Sequence, residues 1–136
     1  GANFGWPGYE GGNATNQVQN GYYNGVPAIR TFVDSNPTVT APIYGRRHSE
    51  GARAIIMGDF YDGNTFSSVY SGALFVADVN EGTVDALTLD SQNRVTAVRR
   101  FDSGIQGLVY LETGADGNLY YVNIGNGTIG RWRPLP

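Results

Sequence analysis

At 136 residues with a net charge of −3 and an isoelectric point near 4.9, the chain is sized for one domain, and its charge argues against nucleic acid, which is held by a surplus of cationic side chains. All nine cationic residues are arginine, so lysine Schiff-base chemistry is excluded; zero cysteines remove disulfides and thiolate sites, and a single histidine removes His-rich zinc sites. Apolar residues make up 40%, enough for a core, yet there is no run of about 20 apolar residues that would span a membrane.

The first stretch, "GANFGWPGYEGG" (1–12), threads aromatics and a proline through five glycines. Glycine is entropically costly in both helix and strand and Pro7 has no N–H, so the stretch reads as an ordered loop that neither coils nor pairs. No charged n-region or apolar h-region stands at Gly1, and the chain reads as a mature piece or a fragment. "GNATNQVQNGYYNG" (12–25) is polar and Asn-rich, "AIRTFVD" (28–34) could be a strand, and "PTVTAPIYG" (37–45) could be another.

Beyond residue 50 the pattern sharpens. Short runs rich in Val, Ile, Tyr, Phe and Thr predict strands within 52–63, 72–79, 82–90, 94–102, 107–114, 118–125 and 127–134. The turns "DSQN" (90–93), "ADG" (115–117) and "GNG" (125–127) supply residues that tolerate positive φ or bond their own backbone, so the strands should follow one another as a meander. The class is all-β.

A repeat organises these strands. "GALFVADVNEGTV" (72–84) and "GNLYYVNIGNGTI" (117–129) align without a gap at an offset of 45 residues, with Asp78 over Asn123 and Gly82-Thr83 over Gly127-Thr128. A period of roughly 40 to 50 residues with about four strands per unit marks a β-propeller blade. The chain is therefore expected to be one partial propeller segment of two to three four-stranded antiparallel blades: a loop-rich opening and partial blade over 1–50, a full blade over 52–102, and a closing three-stranded blade over 105–134. Its open sheet edges call for the remaining blades or for self-association to close the ring.

These same residues carry a resemblance. "GANFGWPGYEG" is similar to the G-x-N-[YF]-G-W-P-x-x-E-G stretch of the soluble pyrroloquinoline quinone (PQQ)-dependent sugar dehydrogenases, the glucose/sorbosone dehydrogenase family of six-bladed propellers. "PIYGRRH" (42–48), "AIIMGDFYDGNTFSSVYSGALFVADVNEGTVDAL" (54–87) and "GLVYLETGADGNLYYVNIGNGTIGRW" (107–132) follow in the family's order. The resemblance implies a periplasmic or secreted oxidoreductase that passes hydride from a sugar hydroxyl carbon to PQQ, with calcium as second cofactor. It also implies that the chain corresponds to the C-terminal part of such a propeller. The family's histidine base and its activating-calcium segment lie upstream of the matched motifs, so His48 does not correspond to that base and the isolated chain is expected to be inactive. A structural calcium would take the Phe4 carbonyl, with Glu10 as the first acidic partner.

From the residues alone, His48 in "GRRHSEG" is the single histidine available as a base, and Arg46 and Arg47 beside it suit bidentate capture of an anion such as a quinone carboxylate. Asp59, Asp62 and Asp78 are further acidic candidates for calcium, though no run has EF-hand spacing. Trp6, Tyr9, Tyr22 and Tyr23, in glycine-rich loops, could stack on sugar rings. That is the basis of an alternative reading, a non-catalytic propeller module for carbohydrate binding or assembly. Arg99 and Arg100 alternate faces of a strand, and the sequons at Asn13 and Asn126 are chance matches in a chain rich in Asn and Thr.

Overall fold

Gly5 and Pro7 keep the first residues out of regular structure, and pairing begins beyond them. The computed structural model describes residues 1–12, 15–51 and 53–134; Asn13, with its sequon, lies outside the described residues. The chain divides into two compact units, Gly1–Glu50 and Gly51–Pro136.

In the first unit, β1 (Tyr9–Gly12) pairs antiparallel with β2 (Thr15–Val18), Glu10 standing opposite Gln17. The end of the opening stretch therefore does pair, contrary to expectation. Glycine makes this possible: a Cβ at Gly11 would lie 2.6 Å from Cγ of Pro42, so only a bare backbone fits under that ring.

Two short helices follow, α1 (Asn20–Gly25) and α2 (Pro27–Asp34). The Gln19 side chain caps α1, its Oε1 accepting from the Gly21 N–H at 2.7 Å. The strand expected at 28–34 is α2 instead. Pro27 occupies the first turn, where a missing N–H is costless. Ile29, Phe32 and Val33 then fall on one helical face, half-buried, with Phe32 meeting the Tyr9 ring edge-on at 6.1 Å. Residues 37–45 form no strand either, since Pro37 and Pro42 cannot donate to a ladder; bonds such as Thr40 N–H to the Asn3 carbonyl (2.7 Å) help hold them.

In the second unit every expected strand is present. β3 (Ile55–Phe60), β4 (Leu74–Asp78), β5 (Thr83–Leu89) and β6 (Val95–Ser103) form one antiparallel sheet in that order, and β7 (Leu108–Thr113), β8 (Leu119–Asn123) and β9 (Thr128–Arg131) form another. The chain is all-β in class, and the sheets of four and three strands are partial propeller blades.

The core lies between these two sheets. Phe75, Val84, Leu108, Leu111 and Leu119 are all buried, and Phe101 gathers Phe66, Phe75 and Trp132 around it in edge-to-face contacts at 5.2, 5.0 and 5.6 Å. Full burial of each large side chain stabilises by about 1.5–3 kcal/mol. The first strands of the two sheets touch at Gly58, where a Cβ would stand 2.5 Å from Cβ of Leu111. Glycine at that position lets the blades close on each other.

Polar groups lock the same contact. The Tyr61 hydroxyl, on a side chain 1% exposed, donates to the Gly117 carbonyl (2.7 Å) and accepts from the N–H groups of Thr65 (2.9 Å) and Phe66 (3.0 Å). One phenol thus joins the β3–β4 loop to the β7–β8 turn. Asp85 on β5 is buried against Arg100 of β6, Nε donating at 2.6 Å, so of the two neighbouring arginines Arg100 is committed to an ion pair while Arg99 stays exposed.

Candidate functional site

In the first unit, one end of the β1–β2 hairpin and the turn after residue 45 enclose a cavity of about 330 Å³ lined by Glu10, Gln17, Arg46, Arg47, His48 and Ser49 among others. The hairpin supplies Glu10 and Gln17 because they are register partners. The turn supplies the cations because Arg47 and Glu50 close on one another. The Glu50 N–H donates to the Arg47 carbonyl (2.9 Å), the Arg47 N–H donates to Glu50 Oε2 (3.4 Å), and Arg46 donates to the Glu50 carbonyl (3.4 Å).

His48 Nε2 lies 3.9 Å from Glu10 Oε1, with the two side chains 62% and 42% exposed. At that exposure solvent screens the attraction, so the pair does not anchor the fold. The structure therefore gathers Glu10, Arg46, Arg47 and His48 around one cavity, although they come from segments more than 30 residues apart.

This donor set suits an anion. Two guanidinium groups, an imidazole, an amide and a hydroxyl can all donate to a carboxylate, and Glu10 limits how much negative charge the cavity accepts. It does not suit calcium, which takes six to eight hard oxygens. Among the described residues no three His, Asp or Glu side chains gather as a metal site. Glu10 stands beside His48, and Phe4, whose carbonyl the resemblance offers to calcium, lies in the stretch before β1. Asp78 is spent on backbone N–H groups, and Asp59 accepts from the Thr113 N–H at 3.3 Å.

The four loop aromatics separate into two kinds. Tyr9 packs on Phe32. Tyr23 donates its hydroxyl to Asp34 (2.9 Å), a bond that raises its pKa, and carries Arg30 over its ring at 5.5 Å. Trp6 and Tyr22 instead face solvent and meet each other, centroids 5.6 Å apart at 73°.

A second cleft, of about 420 Å³, lies in the other unit between residues 62–64 and 114–117. Beside it Asp116 accepts from the Asn118 side chain (2.9 Å), from Tyr120 (2.9 Å) and from Arg131 (2.6 Å), bonds that hold its carboxyl down at about 2. The sequence marked Asp116 as a turn residue only. Its partners on β8 and β9 become neighbours through register, with Tyr120 opposite Arg131.

Antiparallel blade-like sheets stacked on a shared core define the chain as a propeller-type β protein. The chain belongs to the glucose/sorbosone dehydrogenase family, whose model matches residues 1–131. A solved structure described as "Crystal structure of glucose dehydrogenase" is 27% identical, with 90% of this chain covering 32% of that one at a TM-score of 0.57. Another, "glucose dehydrogenase", is 26% identical, with 66% of this chain covering 26% of that one at a TM-score of 0.49. The chain thus spans about a third or less of the length of these solved relatives. No curated protein gives a significant match.

Proposed function

We propose that the protein is a PQQ-dependent sugar dehydrogenase and that this chain forms part of its propeller. The observation that carries the reading is the family match across residues 1–131, and the cation-lined cavity adds to it. PQQ, when bound, accepts a hydride from a sugar carbon. In this chain Arg46 and Arg47 would hold one of its carboxylates, and Ser49 and Gln17 would donate at the cavity wall. His48, beside Glu10, would serve as a proton acceptor, but we assign the anion-holding role first because two guanidinium groups suit bidentate capture of a carboxylate. Among the described residues no cluster of acidic side chains supports the calcium of the same reading.

The reading extends to a periplasmic or secreted protein acting on an aldose. Turnover would need the rest of the propeller, consistent with a chain that covers 32% of its solved relative. Among the described residues β9 has no outer strand partner, which supports completion of its sheet by a further strand of the full protein or of a second copy. Dye reduction with glucose, PQQ and calcium tests this, the expectation being no turnover by the isolated chain and turnover by the full-length protein. PQQ binding to the chain, followed by fluorescence, should weaken at least tenfold in the Arg46→Ala, Arg47→Ala double variant. Turnover by the isolated chain, or PQQ binding indifferent to both arginines, would overturn the respective claim.

A further inference from the structure

Asn20, Asn24 and Asn126 each precede a glycine, and all three are exposed. At such a step the glycine nitrogen can attack the asparagine side-chain amide, because the following residue has no Cβ to shield it. The fold treats the three steps differently. The Gly21 N–H is held by Gln19 Oε1 at 2.7 Å, and the Asn24 carbonyl, on the peptide that would have to turn, accepts from Arg30 Nη2 at 3.1 Å. Both steps lie within α1, whose hydrogen-bonded turns must open before a ring can close.

Asn126 stands instead in the turn between β8 and β9. Among the described residues nothing bonds the Gly127 N–H, whereas the N–H of Gly82, its counterpart in the β4–β5 turn, donates to the Asp78 carbonyl at 2.9 Å. Gly127 has φ +68° and open space where a Cβ would stand, so its neighbours leave room for a ring. The Thr128 hydroxyl donates to Asn126 Oδ1 at 2.6 Å, a bond that lays the amide along the Gly127 peptide and polarises its carbonyl. We propose that Asn126 is a site of self-modification. The Gly127 nitrogen gives its proton to solvent and bonds Asn126 Cγ; the Cγ–Nδ2 bond breaks and ammonia leaves with a proton from solvent. The Thr128 hydroxyl donates to Oδ1 as negative charge gathers there. Water then opens the succinimide at either carbonyl, giving aspartate or isoaspartate. Isoaspartate adds a backbone carbon between the register partners Asn123 and Thr128 and so loosens β9.

Peptide mapping by mass spectrometry after incubation at mildly alkaline pH, on this chain and on the full-length protein, tests this. Asn126 should gain one dalton several-fold faster than Asn20 or Asn24, and an isoaspartyl methyltransferase should label the product. In urea, where no turn is held, the three steps should react at similar rates. In the folded chain Thr128→Val should slow Asn126 several-fold, short of the roughly 100-fold loss of a buried oxyanion donor because the amide is exposed, and Thr128→Ser should keep the parent rate. Slow hydrogen exchange in β4 and β5 certifies that each variant is folded, while exchange in β9 should accelerate in step with isoaspartate. Equal rates at the three sites in the folded chain, an undiminished rate in folded Thr128→Val, or an unmodified Asn126 would overturn the proposal.

Discussion

Asp78 and Asn123, 45 positions apart, hold equivalent hairpins by opposite hydrogen-bond polarity at one atom. Asp78 Oδ1 accepts from the N–H groups of Asn80 (3.0 Å) and Glu81 (2.9 Å), as Asn123 Oδ1 does from Gly125 (2.8 Å) and Asn126 (3.2 Å). The second terminal atom ties down the chain leading into the first strand of each sheet. There Asp78 Oδ2 accepts from the Arg53 N–H (2.7 Å), whereas Asn123 Nδ2 donates to the Gln106 carbonyl (2.8 Å). Exchanging either residue sets donor against donor or acceptor against acceptor. Asp78→Asn and Asn123→Asp should each cost about 1–3 kcal/mol in urea unfolding.

Acid should weaken the fold for an identifiable reason. Burial pushes the Asp78 carboxyl up, but the N–H groups of Glu81, Arg53, Asn80 and Ala54 together outweigh it and leave its pKa lowered; Asp116 is held at about 2. Carboxyls depressed in the folded state add stability that is fully present above their unfolded pKa of about 3.9 and is lost as pH falls through the folded values. The urea midpoint should therefore be flat from neutral pH down to about 5 and drop steeply between about 4 and 2. Asp116→Asn should make that drop shallower.

Glycine substitutions should rank by what a methyl group meets. Gly127 has φ +68° with open space around it, so Gly127→Ala should cost only the left-handed backbone term of about 1–2 kcal/mol. Gly82 has φ +76° and the Gln106 nitrogen 2.8 Å from a Cβ, so Gly82→Ala should cost more. Gly58→Ala forces a methyl against Leu111 and should cost about 1–3 kcal/mol through overpacking. Thermal melts of the three variants check the order.

Removal of one oxygen from Tyr61 should loosen two loops together. Tyr61→Phe leaves the Thr65 and Phe66 N–H groups and the Gly117 carbonyl without that partner, at a cost of about 1–3 kcal/mol. Hydrogen exchange at Thr65 and Phe66 should accelerate, while exchange within β5 stays slow.

The seven strands from Ile55 to Arg131 were legible because each is a local event: a β-branched or aromatic run, then a Gly, Asn or Asp turn. The 45-residue repeat was legible for the same reason, and Asp78 and Asn123 occupy matching positions in three dimensions. Residues 28–34 misled because Ile29, Phe32 and Val33 satisfy strand propensity and helical spacing alike, and Pro27 with the Tyr9 contact decided for the helix.

The site divides along the same line. The sequence by itself determined which chemistries were absent, since no lysine or cysteine exists to supply them, and it marked the adjacent Arg46, Arg47 and His48 as a cationic run. Only the tertiary structure brought Glu10 across to that run and made Asp116 a partner of Tyr120 and Arg131. It likewise separated the packed Tyr9 and Tyr23 from the exposed Trp6 and Tyr22. Residue type is a local property, whereas distance between segments depends on register and on close approaches such as Gly58 to Leu111, which no single stretch of sequence contains.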